Sequence, residues 1–458
     1  MAEIVPIGWE QTRPIAIDLF AGAGGLSLGA EQAGFDVVSA VEYDPVHCAV
    51  HAFNFPRTSV LCADAAQLSS SELRASIAEG CALHARSVPE EVDLVVGGPP
   101  CPGFSLMGKR ELNDPRNDLV FHFLRAVAEL RPRYFIMENV PGMIAGAHAA
   151  ILKRLLAEFR AVGYPLESHC ILNACDFGVP QDRKRLFLMG ARADQVPLAA
   201  PRPTVIPVLK RPSARSLMSS THSDLPRGPS VWEAIGDLPD ADSFPELLET
   251  DEVRLTLMQE AELDEQASAY ALRLRGAISD HDLAYPRIWD KSVLTSSMRT
   301  THTDISRSRF AETLPGQTEA ISHFYRLHPQ GLSNTLRAGT GSDHGAYTSP
   351  RPIHPLLPRV ITVREAARLH SLPDWFRLHR TKWHGMRQIG NAVAPAVAHA
   401  VTAEVVRALA LSLSAPKDAV ALGDPGLLGM DMTAAAQHFG ASREQMPRPR
   451  RSRPKAKV

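Results

Sequence analysis

Cys101 stands in Gly97-Gly98-Pro99-Pro100-Cys101-Pro102-Gly103-Phe104-Ser105, directly after the short apolar run Val92-Asp93-Leu94-Val95-Val96, which reads as a buried strand. The two prolines before it fix their own φ and push their predecessors toward extended backbone. The thiol is therefore carried on a stiff segment at a strand end. A thiol held that way can serve as a nucleophile. Glycines at 97, 98 and 103 let a ligand or another segment approach the backbone closely. A proline-glycine turn with an incidental small apolar cysteine has the same composition, so other residues must decide.

Acids and arginines recur at further strand ends. Glu138 follows Tyr134-Phe135-Ile136-Met137, and a carboxyl at a partly dry strand tip can have its pKa raised far enough to donate a proton. In Gln181-Asp182-Arg183-Lys184-Arg185, ahead of a strand Leu186 to Gly190, strand spacing points Arg183 and Arg185 the same way. The pair can grip one anion or base edge, or merely begin an exposed basic strand. Ile15 to Phe20 reads as a first strand containing Asp18, followed by Ala21-Gly22-Ala23-Gly24-Gly25 and a helix from about Leu26 to Ala33. Strand, glycine turn and helix open a nucleotide-binding α/β unit, although the turn is not G-x-G-x-x-G. A second strand, Phe35 to Val41, ends at Glu42, eighteen residues after Gly24, where an acid can bind both hydroxyls of a ribose. The alternative is that Glu42 is a first-turn acid of the helix Pro45 to Phe53. A third strand, Thr58 to Cys62, ends at Asp64.

These residues need a scaffold that gathers strand ends. Strands alternating with helices, the later helices reaching about Leu130 and running from His148 to Val162, predict an α/β fold. Its core is a doubly wound, mostly parallel sheet whose strand C-termini open on one edge. Asp18, Glu42, Asp64, Cys101 and Glu138 then share a rim. After about residue 191 the texture changes to Pro201, Pro203, Pro207 and Pro212, then Ser/Thr-rich sequence, then an acidic helical stretch from Asp237 to Glu265. The polar run Ser296 to Thr303, with Arg299 and Thr301, followed by Arg307 and Arg309, suits base-edge and phosphate contacts and equally a solvated loop. We read 14–200 as the first part of a catalytic domain, 201–335 as a second, smaller domain and 336–412 as the part completing the first. Within the last, Thr362 caps a helix that stops before Pro373, and Gln388-Ile389-Gly390-Asn391 leads into an Ala/Val helix to about Leu411. Residues 413–458 read as a linker and a disordered basic tail.

Composition narrows the class. Lys and Arg total 49 against 50 Asp and Glu, so nucleic-acid contact must come from local patches. Six scattered cysteines without a C-x-x-C pair argue against a zinc site or a disulfide framework and for a reduced, cytoplasmic setting. The first thirteen residues hold no apolar h-region, and no run of about 18 apolar residues occurs, so we expect neither export nor a membrane span.

Six blocks, taken jointly, resemble the cytosine-C5 DNA methyltransferases of bacterial and phage restriction-modification systems. They are Asp18-Leu19-Phe20-Ala21-Gly22-Ala23-Gly24-Gly25, Glu42-Tyr43-Asp44, the Pro-Cys stretch, Glu138-Asn139-Val140, Gln181 to Arg185, and Gln388-Ile389-Gly390-Asn391, in the family's order. The resemblance covers roughly 14–200 and 330–410. It implies transfer of a methyl group from S-adenosylmethionine to C5 of a cytosine flipped out of duplex DNA. It assigns Cys101 to attack at C6, Glu138 to N3, and Arg185, supported by Arg183, to the cytosine carbonyl. Phe20, Gly22, Gly24 and Gly25 are carried over to the methionine side of the cofactor, Glu42 to its ribose, Tyr43 and Asp64 to its adenine, and Asp18, Pro100, Leu119 and Asn391 to the cofactor pocket without a more particular contact. No metal is implied. A loop from Ser105 to about Arg116 is the implied closing element, and Ser105, Arg116, Arg299, Thr301 and Arg307 are the DNA-contact candidates, with 201–335 as the target-recognition domain. Pro102 departs from the family's usual glutamine and puts a loop-to-DNA contact in question. The implied setting is a cytoplasmic, nucleoid-associated bacterial enzyme acting as a monomer; a cognate restriction endonuclease is a partner the sequence leaves open. An RNA cytosine methyltransferase is the rival, but the Cys-Phe-Thr block of that offshoot is missing. A catalytically silent DNA-binding relative would not need Cys101, Glu138 and Arg185 together.

Overall fold

Short apolar runs supply the strands of one central sheet, as expected where helices cover both faces. In a computed structural model the described residues are 12–100, 118–166, 169–212, 224–278, 282–339 and 351–441. Cys101, Pro102, Ser105 and Arg116 lie outside them. The sheet comprises β1 (Ile15–Leu19), β2 (Asp36–Glu42), β3 (Ser59–Cys62), β4 (Leu94–Gly97), β5 (Tyr134–Asn139), β6 (Cys170–Asn173) and β7 (Lys184–Ala191). Their order is β3-β2-β1-β4-β5-β7-β6, with β1 to β5 parallel and β7 antiparallel to both its neighbours. Strand order reverses between β1 and β4, whose ends pair Leu19 with Gly97. That switch point is where a doubly wound sheet opens its ligand crevice.

On one face lie α3 (Ser70–Leu83), α4 (Leu119–Leu130) and α5 (Ala149–Ala161), burying Leu73, Ile77, Val120, Phe123, Leu155 and Phe159 against the strands. On the other lie α1 (Gly25–Gln32) and α12 (Pro395–Ala408), burying Leu26, Ala30, Val397 and Val401. The two helices approach so closely that a Cβ on Gly29 would fall 2.3 Å from the Cβ of Ala398. Residues 382–408 together have the length and apolar composition of a membrane span, but the chain breaks into two helices and the second is core packing on the sheet.

A second core packs across the expected boundary at 336. It joins α6 (Val231–Ile235), α8 (Ala269–Leu274), Tyr325, Leu327 and Leu336 to α10 (Val363–Arg368), the run Leu369 to Leu378, and α11 (Lys382–Asn391). Its floor is the outer face of α2 (Pro45–Asn54), through Ala49, Val50 and Phe53. Only the segment from Val393 onward returns to the sheet. Apolar spacing identifies these helices but not which of two cores takes them.

Two expectations change. The acidic stretch is α-helical only over α7 (Leu257–Gln266), because Pro239 and Pro245 leave short capped turns before it. The expected tail is folded as far as Ala441: Val420 pairs with Arg287, a turn over Pro425–Gly429 buries Leu427 and Leu428 on α2, and α13 (Met432–His438) follows an Asp431 cap. A few buried leucines suffice to dock a segment whose average composition reads as a linker. Between α8 and α10 in sequence lies α9 (Asp304–Glu312).

Candidate active site

The turn after β1 is built from left-handed residues: Phe20 at φ 61°, Gly22 at φ 57° and Gly24 at φ 102°. A Cβ on Gly24 would strike the Phe55 ring at 2.3 Å, and one on Gly25 would strike the Val393 carbonyl at the same distance. The turn is therefore pressed between α2 and the chain just after Asn391, which brings Asn391 to this edge of the sheet. Gly22 faces open space. Its N–H donates to Glu42 Oε2 at 2.8 Å, and the Asp44 N–H donates to Glu42 Oε1 at 2.9 Å. Asp44, not Glu42, caps α2, accepting from the Val46 and His47 N–H groups, so the first-turn-acid reading of Glu42 is overturned. Tyr43 is 45 % exposed, Asp64 is half-buried with Oδ1 on the Ala66 N–H, Leu119 opens α4, and Pro100 and Asn391 are exposed.

Asp18 lies beneath this turn, fully buried, with Oδ2 accepting from Ser27 Oγ at 2.6 Å; the same hydroxyl is 2.9 Å from His51 Nε2. Oδ1 is buried without a partner. Burial pushes the Asp18 carboxyl up to about 7, against the Ser27 hydrogen bonds and with help from the Glu42 charge. Burial pushes His51 down to about 3, so the imidazole is neutral. A carboxyl raised in the folded state contributes a penalty that is absent below its unfolded pKa near 4 and grows as pH rises toward 7. Asp18→Asn should therefore melt higher than the parent at pH 8, by an amount with a ceiling on the order of 4 kcal/mol, and match it at pH 4. Thermal melts at the two pH values check this; a variant that melts lower at pH 8 than at pH 4, relative to the parent, refutes it.

Beyond the switch point, Glu138 at the end of β5 meets Arg185 of β7 at 2.8 Å, both nearly buried. Burial raises the Glu138 pKa, opposed by the charges of Arg185 and Arg183. Burial lowers that of Arg185, opposed by Glu138. A Cβ on Gly98 would sit 3.1 Å from Glu138 Oε2, so the free side of the carboxyl faces the segment that runs on to residue 101. Asn139 Nδ2 donates to the Pro99 carbonyl at 3.3 Å and fastens the same segment.

Arg183 has other hydrogen-bond partners than Arg185, although its charge also acts on Glu138. It is buried, and its guanidinium donates to the carbonyls of Leu336, Gly390 and Ala392 at 2.9–3.0 Å. Gln181 donates to the Leu369 carbonyl and His370 Nδ1 and accepts from the Leu336 N–H. The other His370 nitrogen is 3.1 Å from the Ala392 carbonyl. Arg183 thus holds the 390–392 block in place rather than gripping an anion. Asn139, Gln181 and His370 escaped the sequence reading as site residues; the first two lie inside blocks already singled out, whereas nothing local marks His370.

The recognition candidates stand apart from this rim. Arg299 donates to the Asp242 carbonyl and Arg307 pairs with the Asp242 carboxylate, each at 2.6 Å, while Thr301 is exposed. Both arginines brace the 240–244 turn, Arg307 through an ion pair and Arg299 through a backbone carbonyl.

A sheet of this order, with one antiparallel strand beside β5 and a glycine turn facing an acid across the crevice, is the α/β fold of S-adenosylmethionine-dependent methyltransferases. The family model for C-5 cytosine-specific DNA methylases matches residues 15–407. Type II methyltransferase M.XorII of Xanthomonas oryzae pv. oryzae is 49 % identical over 97 % of this chain and 96 % of its own length. Type II methyltransferase M.DdeI of Desulfomicrobium norvegicum is 32 % identical over 85 % and 88 %. The crystal structure of a DNA modification methyltransferase encoded within an E. coli prophage superposes with a TM-score of 0.64 at 31 % identity, over 87 % of this chain and all of that one. The chain belongs to the C-5 cytosine-specific DNA methylases, and its activity is methylation of cytosine C5 in DNA.

Proposed function

We propose that this chain methylates a cytosine flipped out of a specific duplex sequence, with Cys101 as the nucleophile and Glu138 and Arg185 as the groups that receive the base. The observation that carries this reading is the Glu138–Arg185 pair set against Gly98, three residues before Cys101. Cytosine C5 is a weak nucleophile until another nucleophile adds at C6. The Cys101 thiolate forms the S–C6 bond, the displaced electron pair moves toward N3, and Glu138 supplies a proton or strong hydrogen bond there. Arg185 holds the carbonyl of the ring and keeps the Glu138 carboxyl oriented. After methylation, loss of the C5 proton returns an electron pair to the ring and expels the thiolate.

S-adenosylmethionine fits the first half of the rim. Glu42 would take the ribose, Tyr43 and Asp64 the adenine, and Phe20, Gly22, Gly24, Gly25, Pro100, Leu119 and Asn391 the remaining walls. The open face of Gly22 and the unpartnered Asp18 Oδ1 below it support an aminoacyl group over this turn. When bound, the cofactor supplies the electrophilic methyl group. The chain would work as a cytoplasmic monomer on the nucleoid, and the likeness to Type II methyltransferases supports a cognate restriction endonuclease as partner. Duplexes carrying 5-fluorocytosine, incubated with protein and cofactor, should yield a denaturation-resistant adduct whose peptide maps to Cys101. Bisulfite sequencing of DNA from expressing cells identifies the target for those duplexes; an adduct at another cysteine, or none, overturns the assignment.

A further inference from the structure

The buried cations of the second core are compensated in two ways: Arg326 spreads its charge over the carbonyls of Pro355, Phe310, Ala311, Thr313 and Leu356, and three others face carboxylates. Arg359 meets Glu365 and Asp240, Arg364 meets Asp374, and Arg368 meets Asp237 and Asp374. Arg351 and Lys382 break this pattern. Arg351 donates to Thr300 Oγ1 at 2.7 Å, and Lys382 Nζ donates to the Arg299 carbonyl at 2.7 Å. Among the described residues neither has a carboxylate within ion-pair range, and Arg351 Nε is buried without a partner. Burial lowers the pKa of both, and the Arg351 charge lowers that of Lys382 further. Two partly desolvated cations therefore repel each other across one hydroxyl and one carbonyl, with no carboxylate among the described residues to offset the repulsion, an arrangement that destabilises the free protein.

Their position says what would offset it. Both side chains lie on Arg299-Thr300, in a segment fastened from behind by Arg364, which donates to Thr295 O and Thr295 Oγ1 through its side chain and to Ser296 O through its backbone N–H. Lys382 opens α11, and nine residues on the same helix ends at Asn391 beside the glycine turn. At 1.5 Å per residue Lys382 stands about 13 Å from that end, a distance of a few phosphates along a DNA strand.

We propose that Arg351 and Lys382 form a seat for the phosphodiester backbone of duplex DNA, linking the 295–303 segment to the helix that ends at the cofactor rim. The seat reads no bases. It fixes the strand's register relative to Glu138 and Arg185, while nearby Arg299 and Arg307 remain committed to Asp242.

Binding of the full chain to a mixed-sequence duplex, followed by fluorescence anisotropy across a salt series, tests this. Arg351→Gln and Lys382→Gln should each weaken binding about fivefold near physiological salt and flatten the log–log salt slope by about one, and the double variant by about two. Arg351→Lys and Lys382→Arg should keep the parental slope. Melting temperatures of the neutralised variants should equal or exceed the parent's, since a repulsion is removed, and cofactor affinity should not change. Parental slopes in both glutamine variants overturn the proposal, as does a loss confined to the target sequence, which would mean base contact. Slopes that flatten equally in the charge-keeping variants, or glutamine variants that melt below the parent, would mean a packing role and also overturn it.

Discussion

Cys101→Ala is expected to lose methyl transfer by a factor on the order of 10⁴ or more, while its affinities for duplex and for S-adenosylmethionine stay within about twofold of the parent's. The reason is chemical: without addition at C6, the C5 carbon has too little electron density to displace a methyl group from sulfonium. Two described groups are poor substitutes. Glu138 is paired with Arg185, and the buried Cys175 has its thiol pushed up to about 12, far from the thiolate at neutral pH. Transfer of tritiated methyl to DNA, read beside a gel-shift titration, separates chemistry from binding. Parental turnover in the alanine variant would sink the assignment. Loss of binding in step with activity would place Cys101 in recognition instead.

Glu138→Gln is expected to slow the methylation step by about 10²- to 10⁴-fold. The amide keeps the shape, but the only protons it offers at N3 are amide N–H protons that it cannot transfer. The substitution also leaves Arg185 beside a neutral group. The pH dependence gives a sharper test. Burial raises the Glu138 pKa above the usual carboxylate range, so the protonated acid persists to higher pH than for an exposed glutamate. Single-turnover rates of the parent should fall as pH rises through that raised pKa. The glutamine variant should show a flat profile over the same interval. Equal pH profiles in both proteins would assign the titration to another group.

How much of this was readable in advance follows from which information is local. Asp18, Glu42 and Glu138 were placed at one sheet edge correctly, because strands are short apolar runs and their ends are marked within two or three residues. The Thr362 cap and the start of α2 were legible for the same reason. The anchoring of Arg183 could not be read because its partners, Leu336, Gly390 and Ala392, are 153, 207 and 209 residues away in sequence. Strand alternation shows which way a side chain points, not what arrives there. Arg299 and Arg307 were singled out for composition, whereas Arg351 and Lys382 are distinguished by meeting on one short segment with few acceptors and, among the described residues, no carboxylate, a property of the assembled fold. The edge strand β6, half exposed, gave too weak an apolar signal to read as a strand.

Gln181, Arg183 and His370 gather the chain at 336, 369, 390 and 392 into one dry junction where the sheet-side core meets the second core. Prying the halves apart would strip several hydrogen bonds at once from groups that no water reaches. The two cores are in effect riveted to each other when the chain folds, so the spacing between the rim residues that each carries is set once, by the same few buried groups.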